Sequence, residues 1–224
     1  MATKTIRALV VAVFTVGSWA ASGQNGGTNP PIATVTFTMS VANANPPYYL
    51  VAINSMGNVS YRSTPNSDER TGQPYMLEFT ASRKVRAEVF RLTEELDFYR
   101  GHFKIREPLH PGRVEKTLTF AEGTTSREIA YRSAKDRRIR QLSQVFENIS
   151  KTIEFGRTVA NLEARDPRGL LAELKKMDRA GKRTGLTEFQ AIAPDVAKLA
   201  SDRSISAASR QYAHAILREN HFTG

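Results

Sequence analysis

The residues of this chain best suited to chemistry by type are His102, Glu107 and His110. Two imidazoles and a carboxylate suit a divalent metal. They share the stretch FYRGHFKIREPLHPG (98–112), where Pro108 and Pro111 forbid a long helix. No regular element is expected to fix the two histidines, so the three are candidate ligands only and no cofactor is assigned. Glu94, Glu95 and Asp97 place carboxylates close together, but at the end of a helix rich in arginine. They read as solvated surface rather than an acid–base pair. Lys135, Arg137, Arg138 and Arg140 form the densest basic run, at an expected helix start. Cations there oppose the helix dipole, at a cost of about 0.3–1 kcal/mol each when exposed. The same convergence of cations and unbonded amides suits an anion, so these four are the candidate anion-binding residues. Asp136, Glu128 and Glu147 lie near enough in sequence to neutralise them.

Gly-x-Ser-x-Gly, His-Glu-x-x-His, phosphate-loop and dinucleotide-binding motifs are all missing from the sequence. No catalytic residue is therefore assigned. The chain has no cysteine, which excludes disulfides, thiolate catalysis and thiolate metal sites.

The elements that position these residues follow from apolar spacing. Val35, Phe37, Met39 and Val41 alternate with Thr34, Thr36, Thr38 and Ser40, predicting a half-buried strand. Tyr49, Val51 and Ile53, then Val59 and Tyr61, predict a hairpin whose turn uses Gly57 at positive φ. Tyr75, Leu77 and Phe79 give another strand. Ser82 caps a helix whose apolar face is Val85, Val89, Leu92 and Leu96. A second hairpin runs from Leu118 and Phe120 through Glu122-Gly123 to Ile129 and Tyr131. Tyr48, Tyr49, Tyr61, Tyr75 and Tyr131 are expected to pack at the core edge.

Beyond Ala134 the pattern is helical. Ile139, Leu142, Phe146, Ile149 and Ile153 make one face, and Asp166-Pro167 starts the next helix. Gly181 is the expected stop of that helix. A further helix from Thr187 through Phe189 and Ile192 is expected to be interrupted or kinked at Pro194. A last helix is expected to be capped by Asp202 or Ser204, with Ile205, Ala208, Tyr212 and Ile216 inward and His214 outward.

Lys4 and Arg7 precede an uncharged run from Ala8 to Val16, followed by small residues around Ala20. This is the pattern of a secretory signal, expected to be cut after Ala20, Ala21 or Gly23. The uncharged stretch, extended to about Gln24, is still shorter than the roughly 20 apolar residues that span a bilayer, and retention of the segment as an anchor is the alternative to cleavage. No transmembrane segment is expected in the mature chain. The formal charge is +10, and +8 once Lys4 and Arg7 leave. A basic exported protein is drawn to anionic envelope surfaces, and export argues against a nucleic-acid partner.

Tyr49-x-Val51-x-Ile53-x-x-x-Gly57-x-Val59-x-Tyr61, the helix end Leu96-Asp97-Phe98-Tyr99 and Lys116-Thr117-Leu118-Thr119-Phe120 form an ordered block. Over about residues 33–150 it resembles a domain of unknown function from exported bacterial proteins. Members of that family often carry Cys-Pro before the hairpin tyrosine, where this chain has Pro46-Pro47-Tyr48. The resemblance implies an α+β fold and an envelope location. It carries no catalytic residue over to this chain.

The expected organisation is a signal peptide (1–23), a Gly/Asn/Pro linker (24–31), a sheet domain (32–133) and a helical region (134–220). The fold class is α+β, a small antiparallel sheet covered by a helix and followed by an all-α C-terminal region. The expected function is a non-enzymatic binding or structural module of the cell envelope, periplasmic or secreted. Its partner is an envelope protein or an anionic envelope polymer. A hydrolase with its site in loop 98–113 is the alternative.

Overall fold

The computed structural model describes residues 31–42, 44–64, 73–107, 114–163 and 166–221. The expected signal peptide, most of the expected linker and His110 lie outside the described residues.

The alternating strands form as their spacing predicts. β1 (Ala33–Ser40), β2 (Tyr48–Asn54), β3 (Asn58–Ser63), β4 (Tyr75–Thr80), β5 (Ile105–Arg106), β6 (Glu115–Glu122), β7 (Thr125–Tyr131) and β8 (Ser133–Ala134) account for the extended segments. Six of them build one antiparallel sheet in the order β4-β3-β2-β1-β6-β7, and β5 pairs with β8. The first strand is thus central: Phe37 lies opposite Val51 on one side and Leu118 on the other. Gly57 takes φ 95° in the β2–β3 turn, conformational space that a side chain penalises.

Because side chains alternate across a strand, one face collects Val35, Phe37, Val51, Ile53, Val59, Tyr61, Leu118 and Tyr131, all buried. The other face carries the half-buried threonines 34, 36 and 38. The apolar face is covered by two helices, α1 (Arg83–Glu95) and α2 (Arg137–Leu162). Ser82 caps α1 as expected, its hydroxyl accepting from the Val85 amide at 3.2 Å. From α2, Ile139, Leu142, Phe146, Ile149 and Ile153 enter the sheet core, and Phe146 stacks on Phe37 with ring centroids 5.5 Å apart. The division drawn after residue 133 groups α2 with the later helices, yet its first half completes the sheet's core.

The 26 residues of α2 extend for about 39 Å at 1.5 Å per residue. Its last turns reach a second core, where Val159 meets Leu170, Leu174 and Met177 of α3 (Pro167–Thr184). Val196 and Leu199 of α4 (Ala193–Ser201) and Ala213 and Ile216 of α5 (Ala207–Glu219) complete it. Gly156 lets α2 approach closely: a Cβ there would stand 2.5 Å from Ile192 Cγ2.

Several helix ends differ from expectation. α3 continues past Gly181 to Thr184, and Gly185 at φ 73° ends it. The helical stretch expected from Thr187 is interrupted rather than kinked: a short turn at Phe189–Ala191 ends and Pro194 lies in the first turn of α4, where its amide needs no helical acceptor. Ser206, not Asp202 or Ser204, caps α5, accepting from the Ser209 amide at 3.1 Å. Ile205 and Ile216 are buried and Tyr212 packs against the helical core as expected, Ser209 and Ala213 join them, and Ala208 alone of the expected inward residues is exposed. Among the described residues no helix is long and apolar enough to cross a membrane.

Candidate functional site

A groove of about 530 Å³ opens between the β1–β2 connection and the middle of α2. The connection closes on itself through Val41 N–H to Pro47 O at 2.9 Å and Ala44 N–H to Val41 O at 3.2 Å. It presents Val41, Ala44, Pro46 and Pro47. Opposite stand Glu147, Ser150, Lys151, Glu154, Phe155 and Thr158, whose alternating steps of three and one hold them to one side of α2. Glu173 and Lys176 of α3 form the far end.

The groove's polar wall is built from groups already bonded to each other. Glu154 Oε1 accepts from the Tyr61 hydroxyl at 2.7 Å and from Ser63 Oγ at 2.8 Å. Arg157 donates to the same oxygen at 3.2 Å and to Ser63 Oγ at 2.7 Å. Its guanidinium also lies 4.9 Å from the centre of the Tyr75 ring, a cation–π contact. The Arg157 side chain is only 2% exposed. A charge so deep is tolerated because it has both a counter-charge and hydrogen bonds.

Burial pushes the Tyr61 hydroxyl's pKa far up, and the Glu154 carboxylate adds to the effect. The hydroxyl therefore remains a donor well above neutral pH. Tyr49 is raised in the same way, by burial first and by Glu147 second, and donates to Met39 Sδ at 3.2 Å. At the rim Lys116 pairs with Glu147 at 2.5 Å. These carboxylates are held in ion pairs, which suits shaping a ligand more than carrying protons to it.

The candidates from sequence lie elsewhere. His102 and Glu107 are exposed in the segment around β5, and His110 is outside the described residues. Among the described residues no group of three histidines or carboxylates stands close enough to hold a metal. Glu94, Glu95 and Asp97 are exposed at the end of α1, where Glu95 pairs with Arg91 and Asp97 with Arg100.

In the basic run the chain supplies its own acceptors. Arg138 donates to Asp136 Oδ2 and to the Glu95 carbonyl, both at 2.7 Å. Arg140 reaches the Ala134 carbonyl at 3.3 Å and that of Lys135 at 2.5 Å. Lys135 and Arg137 stay exposed. The helix start itself is taken by the Asp136 carboxylate, which accepts from the Arg138 amide at 2.9 Å. Hydrogen bonding from the Arg138 side chain holds Asp136 below the usual carboxylate range.

Two functional-looking groups escaped the sequence reading. The Glu154–Arg157 pair did so although Arg157 falls four residues after Ile153, on the apolar face. That position was the available signal. Glu188 is the other, at φ 61° and 4% exposed. It accepts from the Ser82 amide at 2.9 Å and from its hydroxyl at 2.8 Å, tying the start of α1 to the helical core.

No known protein-family model matches the chain, and no curated protein matches it.

Proposed function

We propose that this chain is an exported, non-enzymatic binding module of the bacterial cell envelope, with the groove between the β1–β2 connection and α2 as its binding site. One observation carries the reading: the groove is concave and mixed in polarity, yet the carboxylates of its wall, Glu147, Glu154 and Glu173, are each already ion-paired within the protein. Such a wall contributes shape and fixed donors, while Val41, Pro46, Pro47 and Phe155 offer apolar surface. The signal-like first residues support export, and export favours an envelope protein or anionic envelope polymer over nucleic acid as partner.

The test is capture from an envelope extract at moderate salt, comparing the natural chain with Thr158→Arg. Thr158 is half-buried at the groove and makes no bond to the Glu154–Arg157 cluster. A partner held by the natural chain and lost from the variant, at unchanged circular dichroism, supports the reading. Equal retention by both, or none by either, refutes it. Export is tested by fractionation with N-terminal sequencing: a periplasmic or secreted chain beginning after residues 20–23 is expected. A full-length cytosolic chain overturns that part.

A further inference from the structure

A second, smaller trough runs between α2 and α3 beside the groove, with a volume of about 380 Å³. Its walls carry Lys151 and Phe155 from α2 and Lys176, Arg179, Ala180 and Arg183 from α3. Four cations therefore line it, and no acidic residue does.

The other cations of α3 are employed differently. Lys182 pairs with Asp178 at 2.8 Å and Glu219 at 3.3 Å, and Lys175 lies over the Tyr212 ring at 5.7 Å. In the trough, Lys176 meets Glu173 at 2.8 Å and Arg179 donates to the Lys175 carbonyl at 3.1 Å. Among the described residues neither Lys151 nor Arg183 has a carboxylate partner. Like charges at helical spacings of three and four repel. The macrodipole compensates only Lys182 and Arg183, in the last turn. Of the four cations lining the trough only Lys176 is offset by a carboxylate among the described residues, so the trough carries positive charge that the protein itself does not neutralise.

We propose that this trough binds a linear polymer carrying phosphate groups along its length. Lys176, Arg179 and Arg183 share one helical face and rise along the axis in steps of about 4.5 and 6 Å, a ladder for successive anionic groups. Arginine forks match phosphate oxygens in geometry as well as charge. The cations run along the trough between two helices, an arrangement that suits a single strand lying in it better than a flat bilayer surface. Phe155, half-buried in its floor, gives the chain between phosphates an apolar rest. The site is separate from the basic run at the start of α2, whose arginines bond the protein itself. It rests on the binding-module reading only in taking the ligand from the envelope, and Thr158→Arg leaves all four cations in place.

Calorimetric titration of the full chain with linear inorganic polyphosphate, at low and moderate salt, tests it. Orthophosphate, phosphatidylglycerol vesicles and a DNA fragment are titrated in parallel. Expected are binding to polyphosphate that weakens with salt and weaker binding to the other three. Replacing Lys176, Arg179 and Arg183 by Gln, a good helix former, should weaken polyphosphate binding by about tenfold or more. Lys135→Gln with Arg137→Gln should change it by no more than about twofold. Equal losses in the two variants mean that total charge acts without a site, and overturn the proposal. So does preference for vesicles or DNA, or no binding to polyphosphate. Each of these outcomes can occur whether or not the Thr158→Arg test succeeds.

Discussion

The two cores that share α2 handle charge in opposite ways. Beneath the sheet, Arg157 and Glu154 are drawn inside and consumed by Tyr61, Ser63 and each other. In the helical core the interior is mainly aliphatic, and the cations are set out along the surface of α3. The sheet half therefore holds a rigid wall whose polarity is spent, while the helical half displays charge that a partner can use. The contrast follows from geometry. The sheet brings hydroxyls from β3 against a helix at fixed height, whereas a helix pair leaves long side chains free to reach solvent.

The sharpest way to break this comparison is to ask whether the cores are independent. Phe146→Ala removes the ring stacked on Phe37 and should cost about 3–5 kcal/mol in urea unfolding. Leu174→Ala, fully buried in the helical core, should cost about 2–5 kcal/mol. Because α2 serves both, each variant is expected to shift one common transition. Two separated transitions in calorimetry would show that the cores unfold alone.

Arg157→Met should cost about 3 kcal/mol or more, since it strands the Glu154 carboxylate. Adding Glu154→Gln should recover part of that loss, which no surface ion pair would do. Gly156→Ala tests the junction itself: the new methyl meets Ile192 and should cost about 1–3 kcal/mol. Its effect should appear as faster amide exchange in α4 before the sheet.

The smallest effect concerns acid. Asp136 has its pKa depressed by Arg138, so its stabilising contribution is present above the ordinary value of about 3.9. That contribution is lost as pH falls through the lower folded value. Asp136→Ser keeps a cap and should flatten this acid limb of stability while leaving neutral stability within about 1 kcal/mol.

Much of the fold was legible because it depends on local period. The β2–β3 hairpin, the Ser82 cap, the Asp166-Pro167 start and the inward face of α2 follow from neighbours in sequence. The strand order was not legible. Nothing local tells β1 that it will lie between β2 and β6. The expected small sheet has six strands, covered by α2 as well as α1. Helix ends were misread where two good signals compete: Gly181 lost to Gly185 as a stop, and Asp202 and Ser204 lost to Ser206 as a cap. Of the groove, the tyrosines were expected at the core edge, and Tyr61 and Tyr131 are fully inside it. Arg157, Glu154 and Glu188 were missed because a charged side chain reads as solvated until its partner, distant in sequence, is in view.

The central place of β1 has a consequence for the order in which the chain can fold. Its pairing with β2 is local, but Val35 on its other side waits for Phe120, and Phe37 waits for Phe146 of α2. A chain delivered from its N-terminus thus presents β1 to β4 as a half-sheet in which β1 is an additional unpaired edge and the apolar face is uncovered. Such an edge is a template for wrong partners, and pairings across so long a loop close slowly. The edge closes only when β6 arrives and the face only when α2 packs on it, so the opening strand is among the last to be fully enclosed.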